Sequence, residues 1–183
     1  MSTERKIGLI VAGDIDKAVV EVLGHRVLGD SARLHAVRLG GNFAAQHAWV
    51  MTQILLDEKG CEHVIVLIDA DSTLSREVDR KRAALEAQLA QHDFTEDETS
   101  VCTADPEVEA WLLAHFHERP EDSRDPAGEL ARQLGVGRVT AADAARLAEE
   151  IDLTRARLRS PSLDTFLRAL ERVSRQSQHA PAA

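Results

Sequence analysis

Residues Val64-Ile65-Val66-Leu67-Ile68-Asp69-Ala70-Asp71 constrain this chain more than any other segment. A continuous apolar run of this length reads as a strand buried on both faces, as in a parallel sheet. It ends abruptly in two carboxylates. Side chains two apart on a strand point the same way, so Asp69 and Asp71 are expected to share one face. In open α/β sheets ligands bind at the carboxyl ends of strands, where this pair sits. Two adjacent carboxylates repel unless a proton or a cation separates them. Mg²⁺ takes oxygen ligands and needs only one or two protein carboxylates. The competing reading is local: acidic residues just past a strand also form turns and cap helices.

The flanking sequence alternates strand and helix patterns. Lys6 to Val11 reads as a first buried strand. Asp14 to Leu28 carries Val19, Leu23 and Val27 at helical spacing. Leu34 to Leu39 reads as a second strand and runs into Gly40-Gly41, a turn signal. Asn42 is a candidate cap for a helix burying Phe43, Trp49, Val50 and Ile54. After the acidic strand, Ser75 to His92 is a charged amphipathic helix with Val78, Ala84, Leu85 and Leu89 inside. Thr99 to Thr103 is a fourth strand. Asp105-Pro106 reads as a helix start, Asp as N-cap and Pro at the first helical position, with the helix running to about Phe116. Such alternation predicts a mostly parallel sheet with right-handed crossovers.

The composition changes after His117. Residues 1–117 form the expected α/β core and the polar stretch 118–126, with Pro120 and Pro126, a linker. Residues 127–176 are expected to form a helical segment of three helices: Ala127–Leu134, Ala141–Ile151 capped by Thr140, and Ser162–Ser174 introduced by Ser160-Pro161. Residues 177–183 read as a flexible tail.

Composition removes several classes. The formal net charge of −9 disfavours coating nucleic acid through a general basic field. It leaves room for an enzyme whose bound cations offset its own carboxylates. Aromatics are 3% with no Tyr, which argues against a base-stacking platform and excludes tyrosine-linked strand transfer. Cys61 and Cys102 make neither a disulfide framework nor a zinc motif, so a reducing cytoplasm is the expected location. No stretch has the apolar length of a membrane span, and no secretory h-region opens the chain. No GxxxxGK[ST] segment is present, so the chain has no P-loop of its own.

Further candidates surround the acidic pair. Glu107-Val108-Glu109-Ala110-Trp111 is a second acidic cluster. Glutamates in a first helical turn are often dipole partners only, and two apart on a helix they face different directions. One of them is nevertheless placed to reach the Asp69 crevice. Gly13 permits a tight turn after the first strand. Asp14 or Asp16 either caps the following helix or adds an oxygen to a metal. His115 and His117 are poorly spaced for joint metal ligation and read as surface or capping groups. Arg155, Arg157 and Arg159 form the most basic local patch, suited to phosphate contacts or to solvating a helix.

Two families resemble this pattern. Asp69-Ala70-Asp71-Ser72-Thr73-Leu74 is similar to the first motif of haloacid-dehalogenase-type phosphatases, which implies Asp69 as nucleophile. That family also needs a downstream lysine, for which Lys81 is the candidate here, and a GDxxxD-like paired acid, which this chain lacks. Its motif also sits on the first strand, not the third.

Three ordered blocks more closely resemble the Toprim nuclease domain of OLD and RloB-like proteins: Leu9-Ile10-Val11-Ala12-Gly13-Asp14-Ile15-Asp16, Ile68-Asp69-Ala70-Asp71, and Glu109-Ala110-Trp111-Leu112-Leu113-Ala114-His115-Phe116. Arg159-Ser160-Pro161-Ser162 resembles the ending of small standalone Toprim-like proteins. The resemblance implies a Toprim-like, Rossmann-like α/β fold and hydrolysis of DNA or RNA with Mg²⁺ or Mn²⁺ held by Asp69, Asp71 and Glu109. Asp16 is a further implied ligand. Arg157 and Arg159 are expected to meet phosphate. An ABC-type or AAA-type ATPase partner and a role in anti-phage defence are also implied. One position departs. Where the family carries a first-strand glutamate, this chain has Ala12, whose methyl group neither ligates a metal nor transfers a proton. The resemblance thus leaves a degenerate module or an enzyme whose glutamate has been replaced. A non-catalytic Toprim-like interaction module is the remaining alternative.

Overall fold

The computed structural model describes residues 5–39, 45–71 and 74–176. The expectations for Gly40-Gly41, Asn42, Phe43, Ser72, Thr73 and the 177–183 tail fall outside them. Four strands form one all-parallel sheet in the order β2-β1-β3-β4: β1 Arg5–Val11, β2 Ala32–Arg38, β3 His63–Asp69 and β4 Thr99–Ala104. Register is tight, with Val11 beside Arg38, Ile10 beside Val66, and Asp69 beside Ala104. All four carboxyl ends therefore meet at one rim.

The crossovers are α1 Asp14–Leu28, α2 Ala45–Gln53 with a π turn Ile54–Glu58, and α3 Ser75–Gln91. The chain continues as α4 Val108–Leu113, a 3₁₀ turn Pro120–Asp122, α5 Pro126–Leu134, α6 Ala141–Glu150, α7 Leu153–Arg159 and α8 Pro161–Gln176. Among the described residues no helix is long and apolar enough to cross a membrane.

The apolar run of β3 feeds two cores, as period-two alternation requires. Ile65 and Leu67 pack with Leu9, Val11, Cys102, Trp111 and Phe166 beneath α1 and α4–α8. Val64, Val66 and Ile68 pack with Ile10, Leu55, Leu85 and Leu89 beneath α2 and α3. Cys61 and Cys102 are buried free thiols. Val50 and Ala84, expected inside, are exposed, because α2 and α3 each present a narrower apolar stripe than the residue types suggested.

The C-terminal helices close over the first of these two faces. Trp111, fully buried, stacks on Phe166 of α8 and donates its indole N–H to Ser162 Oγ at 2.7 Å. Glu121 Oε1 accepts from Ser160 Oγ, Ser162 N–H and Ser162 Oγ at 2.6, 2.8 and 2.6 Å. The polar stretch between α4 and α5 thereby ties the start of α8 to the core. Thr140 caps α6 and Ser160 precedes Pro161 of α8, as expected. The short α7 was not expected; Asp152 caps it by accepting the Arg155 N–H.

The expected start at Asp105-Pro106 is corrected. That peptide is cis, α4 begins at Val108 with Glu107 at the cap position, and the helix ends at Leu113. The amides of Ala70 and Asp71 donate to the carbonyls of Ala104 and Pro106, which keeps the chain extended beyond β4.

Candidate functional site

The end of β1 turns into α1 through Ala12 and Gly13. Asp16, in the first turn of α1, is buried, and its Oδ2 accepts the Gly13 N–H at 2.7 Å. It serves as the local cap that the sequence allowed, yet it also faces the rim. Burial pushes its carboxyl up, opposed by the amides of Gly13, Asp16 and Ala12. Asp14 lies outside, its Oδ2 taking a hydrogen bond from Arg38 Nη1 at 2.8 Å.

Asp69 closes β3 and is the electrostatic centre. Burial first, then the charges of Asp16, Glu109, Asp71 and Glu107, push its carboxyl up to about 8. Its Oδ1 is buried and has no hydrogen-bond partner. A buried carboxyl oxygen without a donor in reach is costly unless a proton or a cation meets it.

Asp71 corrects the expectation of a shared face. β3 ends at Asp69, and Asp71 follows with a φ of +52°, in the left-handed region. Strand alternation no longer governs it. Its side chain is 76% exposed and accepts from Lys81 Nζ at 2.6 Å, while the same ammonium donates to the Asp69 carbonyl at 3.2 Å.

The acidic cluster after β4 supplies two more groups. Glu109 is buried and pushed up to about 7 by burial, Glu107 and Asp16, against its own amide. Glu107 stands at the cap of α4, outside the helix, so helical spacing does not part it from Glu109. Burial raises its carboxyl, and it accepts the Ala127 N–H of α5 at 3.0 Å. Sequence reasoning set Glu107 aside as unequal to Glu109; the cap geometry that returns it to the rim is a tertiary consequence.

The remaining candidates lie elsewhere. Arg157 donates to Asp164 at 2.6 Å and also to Glu171, and Arg159 donates to Glu118 and to the Ala114 carbonyl. These partners within the chain engage part of the donor set expected for phosphate. His115 packs edge-on against Phe116, and His117 lies beside Gln133.

Asp16, Asp69, Glu107 and Glu109 thus form a set of mutually repelling carboxyls at the rim, with Asp71 at its mouth. Among the described residues, no three His, Cys, Asp or Glu side chains form a ready metal-holding group. The chemistry of the set fits a hard divalent cation nonetheless: its donors are all oxygens, and one is an orphaned buried oxygen. Ala12, at the end of β1, contributes no donor.

The fold is similar to that of the C-terminal region of the OLD protein of Xanthomonas campestris pv. campestris. The TM-score is 0.54 at 15% identity, covering 98% of this chain and 100% of that one. No protein-family model and no curated protein matches the chain.

Proposed function

We propose that this chain is a Toprim-type nuclease module that hydrolyses nucleic-acid phosphodiesters with Mg²⁺ or Mn²⁺ and lacks one carboxylate, at Ala12. One observation carries the reading: a cluster of mutually repelling carboxyls at the carboxyl ends of parallel strands, centred on Asp69 with its orphaned oxygen. Acids so placed repel one another, and a cation relieves both the repulsion and the orphaned oxygen. Asp69, Asp71 and Glu109 would hold it, with Asp16 within the same field. A bound divalent ion supplies Lewis-acid polarisation of the phosphodiester. Asp71 and Asp69 hold Lys81 at the mouth, and Glu107 ties the α5 N-terminus to the rim.

The test is Ala12→Glu. Purified Ala12→Glu is expected to bind Mn²⁺ more tightly than the parent by titration calorimetry and to cleave DNA or RNA, with Asp69→Asn abolishing cleavage. Absence of both metal binding and cleavage, with the native partner added, would leave a non-catalytic interaction module. We extend the proposal, on the resemblance to OLD and RloB-like proteins alone, to an ABC-type or AAA-type ATPase partner in anti-phage defence. Affinity purification from native cells that repeatedly recovers no ATPase refutes that extension.

A second reading has one observation in its favour. Lys81 touches both residues of the Asp69/Asp71 motif, as a phosphatase of the haloacid-dehalogenase type requires. It also needs a GDxxxD-like acid pair, however, which this chain lacks, and its motif belongs on a first strand, whereas Asp69 ends the third. Metal-dependent turnover of p-nitrophenyl phosphate, lost on Asp69→Asn, would favour this reading.

A further inference from the structure

A polynucleotide backbone held at this rim needs cations, and the whole chain is acidic. Of the arginines expected to meet phosphate, Arg157 is committed among the C-terminal helices, 27% exposed between partners that are 24% and 27% exposed, and the 9% exposed Arg159 side chain donates to the Ala114 carbonyl and Glu118. Two other cations stand at the rim itself. Arg38 ends β2 in register with Val11, the last residue of β1, and pairs with Asp14 at the start of α1. Lys81 reaches back from α3 to Asp71 and the Asp69 carbonyl at the end of β3. By the strand order β2-β1-β3-β4, Arg38 ends β2 and Lys81 lies over the end of β3, with β1 and the Asp16 that follows it between them and Asp69 ending β3 itself.

Both pairs are built to exchange. Arg38 and Lys81 are 48% and 45% exposed, and their partners Asp14 and Asp71 are 71% and 76% exposed. Exposed ion pairs contribute only about 0–1 kcal/mol, so replacing the carboxylate by a phosphate oxygen costs little. A guanidinium also takes two phosphate oxygens in parallel, a geometry that a lone ammonium lacks. Any cation taken up at Asp71 frees the Lys81 ammonium at the point where a phosphodiester would lie.

We propose that Lys81 and Arg38 are the phosphate-gripping residues of this site, each exchanging its aspartate for a non-bridging oxygen of a polynucleotide backbone. The proposal rests on the nuclease reading and names how that site holds its substrate class.

The test is fluorescence anisotropy of fluorescein-labelled single-stranded DNA, single-stranded RNA and duplex DNA with the full chain, across a KCl series, with Ca²⁺ present to suppress cleavage. Lys81→Gln and Arg38→Gln are each expected to reduce the slope of log affinity against log salt by about 0.7–0.9, or about sevenfold in affinity near 0.1 M salt. Lys81→Arg restores the slope, which a merely structural role would not require, and Arg157→Gln leaves it unchanged. Loss confined to one probe supports the proposal and identifies which backbone is held. Unchanged slopes in both glutamine variants, with the parent still binding, overturn the proposal and leave the nuclease reading standing. No binding of any probe by the parent or by Ala12→Glu overturns both.

Discussion

Asp69→Asn should stabilise the metal-free protein, and only above mildly acidic pH. Folding moves the Asp69 carboxyl from an ordinary 3.8 up to about 8, chiefly by burial and then by Asp16, Glu109, Asp71 and Glu107. An acid whose pKa rises on folding binds its proton more tightly in the native state. Its contribution to stability is full below the unfolded value and falls as pH rises toward the native one. Between pH 3.8 and 7 the loss is about 1.4 kcal/mol per pH unit, on the order of 4 kcal/mol in all. Asparagine is neutral and isosteric with the protonated acid, so it escapes that loss. Urea denaturation of both proteins from pH 4 to 9 measures it. The curves should nearly coincide at pH 4 and diverge by about 4–5 kcal/mol at pH 8, with Asp69→Asn the more stable. Parallel pH dependences across that range would refute the electrostatic account of the rim. Saturating Mn²⁺ added to Ala12→Glu at pH 8 should recover about 3 kcal/mol at a hundredfold excess over its dissociation constant.

Other perturbations separate packing from site chemistry. Glu121→Ala removes the acceptor shared by Ser160 Oγ, Ser162 N–H and Ser162 Oγ, and Ser160 is fully buried; a loss of about 2–4 kcal/mol is expected in urea denaturation, without change in metal affinity. Gly24→Ala places a Cβ 2.3 Å from Leu34 Cδ1, so the tip of the Leu34 side chain must move; the gain of about 1 kcal/mol in helix propensity offsets that shift, and the thermal midpoint should change little. Arg157→Gln breaks the pairs with Asp164 and Glu171 and should cost about 1 kcal/mol, measured by urea denaturation.

The layered α/β architecture was legible because strand and helix periods are local properties. The unbroken run Val64–Ile68 requires cover on both faces, and Ile65/Leu67 and Val64/Val66/Ile68 do feed two separate cores. Capping chemistry is equally local, and Thr140 and Ser160 behave as their types predict. The short α7 escaped because seven residues carry too little periodicity; its Asp152 cap was the only available sign. The start of α4 was misplaced because the carbonyls of Ala104 and Pro106 are engaged by amides beyond β3, far away in sequence.

The candidate site divides along the same line. The sequence by itself determined which acids stand just past which strands: Asp16 after β1, Asp69 and Asp71 at and after β3, Glu107 and Glu109 after β4. Strand order and register are long-range pairings, and only the tertiary structure decided that these segments meet at one rim. It buried Glu109 and the Oδ1 of a half-buried Asp69 while leaving Asp71 at the mouth, because β3 stops at Asp69 and the next turn leaves strand geometry. It also paired Arg157 with Asp164 and Glu171 and Arg159 with Glu118, and placed Lys81 and Arg38 at the rim instead. A charge's partner depends on what packs beside it, and that is a property of the fold, not of sequence spacing.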